Sequence, residues 1–141
     1  PPAYCSGDPT YYRWTRRFSA WELTDFVNKI HPVGRVKAVR MGGRGESGRL
    51  TSVTIEGTRA TETVRKELNI RLSFGGLPSA MFIVEPEGPA ASPAAFVFKG
   101  GGRGHGVGLC QHGAKGMALK NIPYQDILKH YFTGVELRKL P

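Results

Sequence analysis

The spacing of apolar residues changes period several times along this chain, and each change predicts an element. The clearest stripe comes late: Tyr124, Ile127, Leu128 and Tyr131 fall at i, i+3, i+4 and i+7, one face of an α-helix. Pro123 suits the first turn of that helix and Thr133-Gly134 stops it. Earlier, Ser19 reads as an N-cap with Glu22 as its capping-box partner, opening a helix from Ala20 to Ile30. Trp21, Phe26, Val27 and Ile30 are expected on its buried side and Glu22, Asp25 and Lys29 in water, with His31-Pro32 as the stop. Shorter runs predict strands: Tyr11–Phe18, then Val33–Met41, whose alternation slips by one residue at Val36. Arg49–Glu56 carries Leu50, Val53 and Ile55, and the glycine-rich turn 42–48 joins it to the preceding strand as a hairpin. Thr58–Thr61 reads as a short strand and Glu62–Asn69 as a short helix, with Val64, Leu68 and Ile70 inward and Arg65 on its face. Ala80–Val84 and Ala94–Lys99 are strands around an exposed proline-rich loop, Cys110–Lys120 is a helix, and Val135–Leu140 is a terminal strand. The sum is an α+β fold: a mostly antiparallel sheet with three or four short helices packed on it.

At 141 residues, with 40% hydrophobic positions, the chain is long enough for one domain with a core. Its formal charge of +9 fits an anionic partner, such as nucleic acid, an anionic membrane or a wall polymer. The basic residues are spread along the chain, and its aromatics are not interleaved with them as a stacking platform requires, which argues against nucleic acid. Cys5 and Cys110 are too few for a disulfide framework; one pair, a metal role or two free thiols all remain open.

Candidate chemistry is concentrated in the stretch 100–131. Gly100, Gly101, Gly102, Gly104, Gly106 and Gly108 are interleaved from Gly102 on with Arg103, His105 and Val107. If extended, the backbone would put those three side chains on one face and leave the other bare; positive φ at the glycines equally permits a winding loop. Cys110, Gln111 and His112 follow in the first turn of a helix, beside its free N–H groups. His105 between glycines reads as a site residue. Tyr131 belongs to the apolar stripe of the last helix, His130 to its opposite side, and His31 before Pro32 looks structural.

The segment GRGHGVGLCQHGAKGMA, followed by IPYQDILKHYFTGVEL, resembles the C-terminal signature of the stage II sporulation protein D, or amidase-enhancer, family. SGRLTSVTIEG, VRKELN and LPSAMFIVE agree with that family in the same order, so the resemblance covers nearly the whole chain but only the second part of the family domain. It implies that residues 1–141 form one domain, the C-terminal portion of a longer one, in an extracytoplasmic protein of the bacterial envelope. It implies a lytic transglycosylase that binds and cuts peptidoglycan glycan strands, preferring strands denuded of stem peptides, with a cell-wall amidase as a further partner. Some family members carry a metal nearby, but nothing in this sequence establishes one, and no cofactor and no metal are expected. By the same resemblance, Arg103, His105, Gly106, Gln111 and Tyr131, with Ser79 before a strand, line the substrate groove.

Glycosidic cleavage needs an acid on the leaving oxygen. In the family that acid is a Glu in an upstream segment resembling S-E-W-P, which this chain does not contain. Of the acids present, Glu46 in GRGESGR alone sits in a flexible glycine-rich context, and it is a poor substitute. The segment alone is therefore expected to bind glycan without cutting it. A non-catalytic peptidoglycan-binding or amidase-enhancing module is the alternative. A third reading makes Cys110, near His105 and His112, the nucleophile of a wall amidase or peptidase, although no Asn or Asp is positioned to complete a triad. Metal binding by Cys5, Cys110 and histidines lacks any paired zinc spacing.

Overall fold

The computed structural model describes residues 3–7 and 9–138. The elements run α1 (Pro9–Tyr12), β1 (Trp14–Ser19), α2 (Ala20–Asn28), β2 (Val36–Met41), β3 (Ser52–Gly57), β4 (Thr61–Arg65), α3 (Glu67–Ser73), β5 (Phe82–Glu87), β6 (Ala95–Gly100), α4 (Gln111–Ala118) and α5 (Tyr124–Tyr131). The fold is α+β, as expected. Its strands form two three-stranded antiparallel sheets, ordered β1-β6-β5 and β2-β3-β4. There are five helices among the described residues, the extra one being the single turn α1.

The capping box that opens α2 is present in full. Ser19 Oγ accepts from the Glu22 N–H at 3.2 Å, and Glu22 Oε2 accepts from the Ser19 N–H at 2.8 Å. The buried face of α2 is Leu23 and Val27, whereas Trp21 (77% exposed) and Ile30 (51%) face outward, against expectation. The expected face left out Leu23, which with Val27 four residues on marks its centre, and Ile30 lies past the C-cap at Lys29. The β2–β3 hairpin is as expected, and the slip at Val36 is a β-bulge between Val36 and Ala38.

Three other expectations fail. Glu62–Arg65 is strand, not helix: β4 pairs with β3 from Ser52↔Arg65 to Glu56↔Thr61, so sheet pairing outweighs the local helix preference of its charged residues. The helix starts later, at Glu67, leaving Leu68 56% exposed and Arg65 exposed on a strand. Tyr11 and Tyr12 belong to α1, so β1 begins only at Trp14. Residues 135–138 form no strand, and the rest of that expected terminal strand lies outside the described residues.

One core lies between the sheets and under α2 and α3. Phe98, on the central strand β6, is fully buried, with its ring 5.1 Å from Phe74, 5.2 Å from Phe82 and 5.6 Å from Phe18. A fully buried side chain of this size contributes about 1.5–3 kcal/mol through burial. This cluster fixes the end of β6, two residues before the glycine-rich stretch begins. Met117 and Ile127 are buried on α4 and α5, which pack together outside this main core cluster. No described helix is long and apolar enough to cross a membrane.

Candidate functional site

After β6 the chain enters the glycine loop, which is pinned from several sides. The Gly101 N–H donates to the Met81 carbonyl at 2.9 Å, and the Gly104 N–H to the Pro78 carbonyl at 2.9 Å. Trp14 Nε1 donates to the Gly102 carbonyl at 3.1 Å, and the Ser79 hydroxyl donates to the Gly101 carbonyl at 2.7 Å. Gly102, Gly104, Gly106 and Gly108 all have positive φ, from 73° to 82°. The stretch therefore winds rather than extends, and the bare-faced strand is not formed.

The sequence reading missed the residue around which the loop winds. Arg49, half-buried, donates from Nε to the Gly104 carbonyl at 2.8 Å and from Nη1 to the Ser47 carbonyl at 3.4 Å. A methyl group on Gly106 would collide with the Arg49 guanidinium, and Gly106 has φ +75°, so that position is restricted to glycine twice over. Burial pushes the Arg49 guanidinium below its ordinary value, opposed by Glu67 and reinforced by Arg71. Those two residues form a support behind it. Glu67 Oε2 accepts from Arg71 at 3.5 Å and Oε1 from the Ala80 N–H at 3.1 Å, and Arg71 Nε donates to the Leu77 carbonyl at 2.7 Å. The signal for Arg49 was present in its position at the start of SGRLTSVTIEG, but nothing local tied it to glycines more than fifty residues away.

The loop, α1, the start of α4 and the end of α5 enclose a groove of about 800 Å³. Arg49, Arg103, His105, Gln111 and Tyr131 are among its lining residues, so four of the expected side chains are brought together. The Arg103 guanidinium lies 4.5 Å from the centre of the Tyr11 ring, a cation–π contact that steadies a long exposed side chain. His105 Nδ1 accepts the Val107 N–H at 2.9 Å. The neutral ring then carries its proton on Nε2, leaving that nitrogen as the donor. Gln111 is exposed at the first position of α4 and offers both a donor and an acceptor. Tyr131 reaches from α5 to α4, where a methyl group on Gly113 would meet its hydroxyl. Burial, followed by Cys110, Cys5 and Tyr4, pushes its phenol above the ordinary value.

Ser79 is placed differently. It is fully buried; its hydroxyl also accepts the Met81 N–H at 3.1 Å, so it holds the loop from behind. Glu46 is exposed in the turn before Arg49 and is not among the residues lining the groove. None of the described lining residues is a carboxylate. Cys110 is the N-cap of α4, its Sγ accepting the Gly113 N–H at 3.4 Å. Among the described residues, no three His, Cys, Asp or Glu side chains gather as a metal site. A second hollow of about 600 Å³, with Arg13, Arg44 and Lys99 in its lining, adjoins the groove at Met81 and at the Gly101–Gly102 backbone.

The sequence that builds this loop around a half-buried arginine is similar to that of known proteins. Residues 4–108 match the family described as a domain of unknown function, DUF8618, and the chain belongs to that family. It is 30% identical over 125 residues to an uncharacterized protein of Brachyspira hyodysenteriae, covering 88% of this chain and 32% of that protein. Stage II sporulation protein D of Bacillus amyloliquefaciens is 32% identical over 130 residues, and that of Bacillus subtilis 30% over 130. Each covers 89% of this chain and 33% of the relative, so the chain spans about a third of the length of the curated relatives it matches.

Proposed function

We propose that this chain is the glycan-binding part of a peptidoglycan-processing protein of the stage II sporulation protein D type, acting outside the cytoplasm on the wall. One observation carries the reading. A groove of about 800 Å³ presents two arginines, two histidines, a glutamine and three tyrosines, with no carboxylate among its described lining residues. Such a surface hydrogen-bonds sugar hydroxyls and acetamido groups and attracts carboxylates, but it has no acid to protonate a glycosidic oxygen. The adjoining hollow at Met81, with Arg13, Arg44 and Lys99 in its lining, extends the basic surface beyond the groove. The similarity to two sporulation proteins named stage II sporulation protein D supports the same assignment.

In this reading, Arg103 holds carboxylate or acetamido oxygens. His105 donates from Nε2, and Gln111 and Tyr131 read hydroxyls on the facing wall. The catalytic acid of a lytic transglycosylase comes from a segment other than residues 1–141. The cysteine-nucleophile alternative has less support: Cys110 caps a helix, and the His105 Nδ1 that would serve as its base is occupied by a backbone N–H. The test is incubation of the chain with denuded glycan strands. Retention on the strands without release of anhydro-muropeptides is expected by mass spectrometry. Robust turnover would contradict the reading and return attention to Glu46.

A further inference from the structure

Residues 3–7 run across the two C-terminal helices. The Tyr4 backbone packs so closely on Gly116 of α4 that a methyl group there would strike its carbonyl. The Tyr4 ring sits edge-on to His130 of α5 at 5.8 Å, and Lys120 Nζ lies 5.1 Å from its centre. This seating brings Cys5 into the lining of the groove beside Cys110. Both cysteines are free thiols; Cys110 is exposed and Cys5 partly buried. The Cys5 thiol is pushed above its ordinary value by burial first and then by Cys110, whose side chain is close enough to act on it directly.

We propose that Cys5 and Cys110 are a dithiol site that closes to an intramolecular disulfide, tying the start of the chain to the N-cap of α4 at the groove wall. The oxidant is an external disulfide, from a small thiol or a thiol–disulfide oxidoreductase. The exposed Cys110, as thiolate, attacks that disulfide; an S–S bond forms to Cys110 and one thiolate leaves. Cys5, losing its proton, then attacks Cys110 Sγ and expels the second thiolate. Two protein thiols and one disulfide become one protein disulfide and two thiols, with no electrons unaccounted for. The bond joins positions 105 apart in sequence that already lie together in the fold, so its main effect is on the unfolded chain. This inference stands on the packing of residues 3–7 and is independent of what the groove binds.

The test treats the reduced chain with glutathione disulfide and maps peptides without reduction. The expected product is a monomer two hydrogens lighter, with a Cys5–Cys110 linked peptide and a melting temperature higher by roughly 10 °C. Cys5→Ser is expected to stop at a stable glutathione adduct on Cys110, and Cys110→Ser to form no internal link. A persistent adduct on Cys110 in the unsubstituted chain, a disulfide-linked dimer, or a link that leaves melting unchanged would each overturn the proposal.

Discussion

Arg49 Nε donates to the carbonyl of Gly104 at 2.8 Å, and the bare Cα of Gly106 faces the same guanidinium. One side chain from the hairpin region thus sets the shape of a loop fifty residues later. Removing it leaves a half-buried carbonyl without its charged donor, a loss of about 1.5–3 kcal/mol. Arg49→Ala is therefore expected to lower stability by that amount in denaturant unfolding. The amide signals of 102–108 should broaden or shift more than those of β6. Arg49→Lys should recover only part, because an ammonium does not reproduce the guanidinium's planar fork.

Gly106→Ala tests the same relationship from the loop side. The new methyl group is forced into positive φ and into Arg49, so a cost of roughly 1–3 kcal/mol is expected. The double variant Gly106→Ala with Arg49→Ala should cost less than the sum, since the collision is gone. Additive losses in urea unfolding would show that the two residues do not share this contact.

Gly113 and Tyr131 form the second close approach at the groove. Gly113→Ala pushes the Tyr131 hydroxyl away from α4, so the gain of about 1 kcal/mol that alanine normally brings over glycine inside a helix is expected to be lost. Tyr131→Phe removes the atom that collides, so Gly113→Ala should recover that gain in that background. Thermal melting of the four proteins in the cycle measures this.

Acid should act on the α2 cap. The Glu22 carboxyl is held below its ordinary value, chiefly by the Ser19 backbone N–H and then by the Ser19 hydroxyl. A lowered folded-state pKa means the unfolded chain binds more protons through that window. This stabilisation is thus present above the unfolded value of about 4.5 and is lost as pH falls through the lower folded value. Glu22→Gln should therefore melt lower than the unsubstituted chain near neutral pH, with the gap narrowing below about pH 4.5. A gap that widens in acid would contradict the capping-box account.

The sequence revealed local chemistry better than distant pairing. Ser19 and Glu22 announced the α2 start because a capping box is closed within four residues. The slip at Val36 was visible as an interrupted alternation and is a bulge. Arg103, His105 and Gln111 were legible because they cluster in one stretch, whereas Tyr131 was marked only by the family resemblance, its own apolar stripe pointing to the core. Arg49 was not legible, since its role depends on Gly104 arriving from another sheet. Nor was β4: Thr61–Arg65 is made strand by β3 beside it, while its own charged residues favour a helix.

The central claim is that the glycine-loop groove binds glycan strands. The most direct measurement is a backbone NMR titration of the chain with denuded peptidoglycan strands, repeated with His105→Ala. The account predicts that amides from Gly102 to His112 and those around Tyr131 shift. It also predicts that His105→Ala weakens binding about 5–20-fold, one hydrogen bond's worth, while melting as before. Shifts confined to other surfaces, or unchanged affinity in a folded His105→Ala protein, would contradict it.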